Sequence, residues 1–121
     1  MYARSYKELT VWGKSMVLVE EIYKITKALP NSETYGLSSQ MQRAAVAIPS
    51  NIAEGSKRKQ KEYIQFLSIA HGSAAELETQ LNLIGRLYPN VNVQKAESLL
   101  EEILKMLYVM LQRMKGPDTK N

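Results

Sequence analysis

Four cations crowd one short stretch, Lys57-Arg58-Lys59-Gln60-Lys61, and Glu62 is the first carboxylate after them. Cations this dense neutralise phosphates and release counterions, with little dependence on base sequence. The chemistry on offer is polyanion binding by Lys57, Arg58, Lys59 and Lys61. The competing reading is a solvated turn, whose cations would favour the C-terminus of a preceding helix. The same cations would stand at the N-terminus of the next helix, where they oppose its dipole, and that mismatch tilts the balance toward function. Arg43, with Arg4, Lys7 and Lys14, extends the prospective basic surface.

The other reactive groups assemble less well. Glu54, Glu76 and Glu78 invite a carboxylate metal site. Di-iron bundles of that type need two inward Glu-x-x-His motifs. His71 is the only histidine, and neither Glu76 nor Glu78 has a histidine three residues on. No metal site is assigned. Glu54 and Glu76 read instead as partners for Arg43, Arg58 or Asn51 in buried or interfacial hydrogen bonds. Ser73 follows His71 by two, and residues two apart do not face each other on a helix. Gly72-Ser73 also lacks the flanks of a nucleophile elbow. Gly13-Lys14-Ser15 matches the end of a P-loop, but the first glycine of that motif would fall at Glu8 and no strand precedes it. The absence of cysteine removes disulfides, thiolate ligands and cysteine nucleophiles. The reading is a non-enzyme with no catalytic residue, no cofactor and no small-molecule substrate.

Composition sets the frame for these groups. The chain has 121 residues, 45% hydrophobic and 23% charged, which suits one globular domain over residues 1–121. The formal net charge is +4 and the pI about 9.3, which permits a polyanionic partner without requiring one. No apolar run approaches the ~18 residues of a membrane span. The opening MYARSYKEL has no apolar core of a signal peptide. The expected location is the cytoplasm, with no membrane partner.

The turn-forming residues divide the chain into helical segments. Pro30-Asn31-Ser32, Gly55-Ser56, Tyr88-Pro89-Asn90 and Gly116-Pro117-Asp118 are the breaks. Apolar periodicity then predicts helices over about 6–29, 33–54, 59–87 and 93–115. In the first, Leu9, Trp12, Met16, Val19, Tyr23 and Thr26 form the leading stripe, widened by Val11, Leu18, Ile22 and Ile25. Ser5 and Glu8 have capping-box spacing, and Ser32 is the expected N-cap of the second helix. The third carries a heptad seam from Tyr63 to Leu87 through Gln80. The fourth runs Ala96, Leu100, Ile103, Leu107, Met110, Met114, with Asn92 as its N-cap. Short connections favour antiparallel neighbours. The expected fold is all-α, an antiparallel up-down-up-down four-helix bundle.

Pro49 interrupts the second helix within IPSNIAEG (48–55). A proline in a helix interior costs about 3 kcal/mol. Met41, Ala44, Ile48 and Ile52 keep their phase across it, so the expectation is one kinked helix rather than two. Asn51 is expected to bond a freed carbonyl or a neighbouring helix, and Gly55 to end the helix. The small residues Gly72, Ser73, Ala74 and Ala75 are expected to receive the Ala44-Ala45-Pro49 region at close approach. Trp12, Tyr63, Phe66 and Tyr108 read as core. Apolar positions beyond the seam, including Leu67, Leu81, Leu104, Met106 and Val109, favour a buried subunit interface.

Three blocks carry a family resemblance: LTVWGKSM (9–16), YGLSSQMQRAAVAIPSNIAEGSKR (35–58) and EYIQFLSIAHGSAAELETQL (62–81). They resemble the small bacterial intervening-sequence proteins, first recognised as reading frames inside 23S ribosomal RNA genes. The resemblance covers almost the whole chain. It implies a four-helix bundle that forms homo-oligomeric rings, typically pentamers. A related branch is the accessory protein of diversity-generating retroelements, which works with a reverse transcriptase and nucleic acid. The expected function is therefore a non-catalytic ring that binds RNA or DNA through repeated basic patches. The alternative is an adaptor for a larger enzyme such as a reverse transcriptase. Pro49, Asn51, Glu54, Gly55, Gly72, Ser73 and Glu76 are expected to be structural.

Overall fold

The computed structural model of the protein describes residues 5–116. Among them lie four α-helices and no strand: α1 (Thr10–Lys27), α2 (Leu37–Ser56), α3 (Gln60–Leu87) and α4 (Gln94–Lys115). Each helix packs on its neighbour in sequence, and α1 closes the set against α4. The cross-links give the directions. Lys14 meets Glu102 and Lys95 meets Glu21, so α1 and α4 run antiparallel. Gln42 donates to Thr26, near the end of α1 and the start of α2. Gln60 at the start of α3 donates to the Met114 carbonyl at the end of α4.

The core forms where periodicity concentrates large aliphatic side chains. Leu18 and Ile22 of α1, Met41, Ile48 and Ile52 of α2, Leu67, Leu77, Leu81 and Ile84 of α3, and Leu100, Ile103 and Leu107 of α4 are all fully buried. Burying each such side chain contributes roughly 1.5–3 kcal/mol. On α1 the expected stripes exchange roles. Val11, Leu18, Ile22 and Ile25 are the core, while Met16 and Tyr23 are 41% and 42% exposed. Either stripe has helical period, and periodicity alone does not say which one faces inward. Tyr108, expected in the core, is also exposed. Leu67 and Leu81, expected at an interface between subunits, belong to the core of one subunit.

The helix ends differ from expectation for local reasons. Residues Tyr6–Glu8 form a short 3₁₀ turn capped by the Ser5 hydroxyl, which accepts from the Lys7 N–H. Leu9 is extended, so α1 begins only at Thr10. Asn31–Glu33 form a second 3₁₀ turn, and Ser32 makes no cap. The carboxylate of Glu33 caps α2 instead: it accepts the Leu37 N–H at 3.2 Å and the Tyr88 hydroxyl on its other oxygen. One side chain thus ties the α1–α2 connection to the end of α3. Val93, not Asn92, holds the N-cap position of α4, and Asn92 just before it accepts from the Gln94 N–H at 3.0 Å.

Helix α2 continues through Pro49. Pro49 is buried, so tertiary packing offsets its local cost. The Asn51 amide donates to the Ala47 carbonyl at 2.7 Å. Gly55 does not end the helix. It lies buried in the last turn, where an added Cβ would meet Phe66 Cβ at 2.7 Å and a Tyr63 ring carbon at 2.8 Å. The backbone of α2 therefore touches the aromatic side chains of α3, and only glycine fits. The small-residue contact expected at Gly72 is absent: Gly72 is exposed, and an added Cβ there meets nothing within 4 Å. Its neighbour Ser73 faces Ala44 and Ala47 across a shallow cleft, and Ala70 and Ala74 are the small residues that reach the core.

The two glycines should respond oppositely. Gly55→Ala gains about 1 kcal/mol of helix propensity but overpacks the crossing, at a cost of about 1–3 kcal/mol, so the melting temperature should fall. Gly72→Ala should raise stability by roughly 0.5–1 kcal/mol. Urea unfolding of both variants checks this, and a stabilised Gly55→Ala would refute the close approach. The Glu33 carboxyl is held below its ordinary value by the Tyr88 hydroxyl and then by the Leu37 N–H. A depressed carboxyl stabilises the fold above its unfolded value and loses that contribution as pH falls through the folded one. Glu33→Gln should therefore melt lower than the parent near pH 7, and the gap should narrow and close as pH falls through the lowered folded value of the carboxyl. A gap independent of pH in thermal melts would remove Glu33 from this role.

Candidate nucleic-acid interface

The basic cluster occupies the tight turn between α2 and α3. Helix α2 ends at Ser56, and its last carbonyls must find donors. The Lys57 N–H reaches the Glu54 carbonyl at 3.2 Å and the Arg58 N–H the Gly55 carbonyl at 2.9 Å. Lys59 then turns extended (φ −68, ψ 161) and its carbonyl accepts from Tyr63, opening α3. The turn is thus made of Lys57, Arg58 and Lys59 alone, with Lys61 in the first turn of α3. All four are exposed. Lys59 makes no side-chain cap on α3. Cations stand where a capping Ser, Asp or Asn would stabilise the helix.

Two of the cations are held in place. Arg58 pairs with Glu54 at 2.5 Å and lies 5.4 Å from the Phe66 ring centroid. The hydrogen bond to Glu54, and then its charge, hold the guanidinium protonated above its already high value. Glu54 takes Arg58, one of its expected partners, and within the single chain the pair is exposed at the helix end rather than buried. Lys57 lies 5.7 Å from the Tyr6 ring centroid, and Tyr6 stands edge-on to Trp12 at 5.4 Å. The Gln60 bond to Met114 draws in the end of α4. Three parts of the chain therefore meet at this end: the 3₁₀ turn at Tyr6–Glu8, the basic turn and the last turn of α4.

Of the expected extension, Lys7 lies exposed in the 3₁₀ turn that meets this end, whereas Arg43 and Lys14 do not join it. Arg43 lies fourteen residues before Lys57 on α2, roughly 20 Å of helix rise away. It donates to Ser39 at 3.4 Å and shares the cleft with Ser73 and Glu76, without an ion pair to Glu76. Lys14 pairs with Glu102 at 3.4 Å. Arg4 lies outside the described residues. His71 and Ser73 share no hydrogen bond, and among the described residues no group of three His, Cys, Asp or Glu could hold a metal ion. No described helix is long and apolar enough to cross a membrane. The Glu54–Arg58 pair had a sequence signal, the spacing of four, but the Phe66 ring at Arg58 had none. Nothing in the sequence paired Tyr6 with Lys57, because that contact depends on how the 3₁₀ turn folds back on α2.

Comparison with known proteins agrees with this architecture. A crystal structure of a protein of unknown function from the S23 ribosomal protein family of Bacteroides thetaiotaomicron VPI-5482 superposes with a TM-score of 0.77 at 26% identity. The match covers 85% of this chain and 99% of that one. No curated protein matches the chain. The family model described as 23S rRNA-intervening sequence protein matches residues 7–109. With four helices in place and the model spanning nearly all of them, the chain belongs to the 23S rRNA-intervening sequence protein family.

Proposed function

We propose that the protein is a non-catalytic homo-oligomer that binds RNA or DNA through the turn at Lys57, Arg58, Lys59 and Lys61. The observation that carries the reading is the composition of that turn. Every residue of the connection is an exposed cation: Lys57 and Arg58 follow the C-terminus of α2, which favours them, while Lys59 at the N-cap of α3, with Lys61 in its first turn, opposes that helix dipole. A phosphate chain would supply the missing negative charge. Met16 and Tyr23 are exposed on α1, and Tyr23 shares a shallow cleft with Val46 of α2 that offers a face for a second copy. A ring, a pentamer by family resemblance, would repeat the basic turn and multiply weak contacts. An adaptor role has one feature of its own in its favour: Tyr35, in the α1–α2 connection, is 97% exposed and is the kind of aromatic that anchors a partner protein.

Salt-titrated binding to labelled RNA and DNA, with light scattering on the same sample, tests the proposal. Binding should fall linearly in log–log salt plots. Neutralising Lys57, Arg58, Lys59 and Lys61 to glutamine should weaken it at least tenfold while the melting temperature holds. Tyr23→Lys should lower the assembly state. An intact assembly that binds no nucleic acid at low salt sinks the reading. Loss of partner capture from the native host by Tyr35→Ala alone would favour the adaptor.

A further inference from the structure

We infer that the basic turn takes single-stranded nucleic acid in preference to duplex, using the Arg58 guanidinium held over Phe66 as a stacking platform, with the Lys57–Tyr6 cation–aromatic pair beside it. This rests on reading the turn as a polyanion contact. The charge available is small. Glu54 pairs directly with Arg58, and Glu62 follows in the first turn of α3. Lys57, Arg58, Lys59 and Lys61 against these two carboxylates leave a net of two positive charges per subunit. Duplex binding without base contacts draws its affinity from the number of phosphates neutralised, and this turn neutralises few.

What the turn holds instead is planar surface. The Glu54 carboxylate fixes the guanidinium over the Phe66 ring at 5.4 Å, so Arg58 presents a positioned plane rather than a mobile charge. The ion pair cancels much of its charge but none of its stacking capacity. Lys57 over Tyr6, whose ring stands edge-on to Trp12, makes a second cation–aromatic pair at the turn. Unpaired bases stack on aromatic rings and on arginine planes, whatever their sequence. In a duplex those faces are already stacked on one another.

The test measures anisotropy of a labelled single strand and of a hairpin duplex with the same number of phosphates. The probes are an oligouridine and a self-complementary RNA hairpin. The single strand should bind at least fivefold more tightly. Arg58→Lys keeps the charge and loses the plane. It should weaken single-strand binding several-fold and leave the hairpin and the salt slope unchanged. Glu54→Gln adds net charge and frees the guanidinium. It should strengthen hairpin binding and lower the single-strand preference. Both substitutions are at exposed positions, and unchanged melting temperatures confirm the fold. Equal affinity for both probes, or Arg58→Lys without effect, overturns the inference and leaves the basic turn as a charge contact. Absence of binding to either probe at low salt overturns the underlying reading too.

Discussion

The crossing of α2 over α3 at Gly55 is the contact on which the candidate interface depends. There the α2 backbone rests against Tyr63 and Phe66, with no room for a Cβ. Close packing of this kind resists compression, because a filled interior leaves little room to give. It holds the last turn of α2 and the first turn of α3 in one relation, and the basic turn spans the gap between them. Phe66 has two neighbours at once, Gly55 at its Cβ and Arg58 over its ring. A single ring thus sets both the helix approach and the position of a surface cation.

The opposite end of the bundle is fixed by polar chemistry. Glu33 accepts from the start of α2 and from the tyrosine that closes α3. It does the work of a helix cap and of a tether between two connections that are far apart in sequence. A carboxylate with two charge-assisted donors is a stronger tie than a serine cap. That is why the Ser32 cap that local rules favour gives way to Glu33. Between the two ends, Gln80 is buried with its carbonyl oxygen unpartnered, the one such side-chain atom found among the described residues. Its position in the α3 seam, among Leu77, Leu81 and Ile84, makes it the least satisfied polar group of the core.

Much of this was legible in the residues. Met41, Ala44, Ile48 and Ile52 kept phase across Pro49, and the helix does run on through it. The α3 and α4 stripes located most of the core, because one apolar face dominates on each. On α1 two stripes compete, and only tertiary packing decides that Leu18 and Ile22 face inward. The glycines misled for a related reason. Gly55 has the position of a helix terminator and Gly72 the company of small residues. Whether a missing side chain serves a turn or an approach depends on what lies opposite, which no local rule contains. The basic cluster was found from its charge density. Its aromatic supports were not, since Tyr6 and Lys57 lie far apart in sequence and meet only through the folded 3₁₀ turn.

Gly55, Tyr63 and Phe66 share one volume, so they constrain one another as a unit rather than as three separate sites. A relative with alanine at the first position should carry a smaller residue at one of the other two, or a wider spacing of α2 from α3. Either change would move the guanidinium of Arg58 relative to its ring. The geometry of the surface is in that sense inherited from a packing choice inside the molecule, and drift in the one should appear as drift in the other.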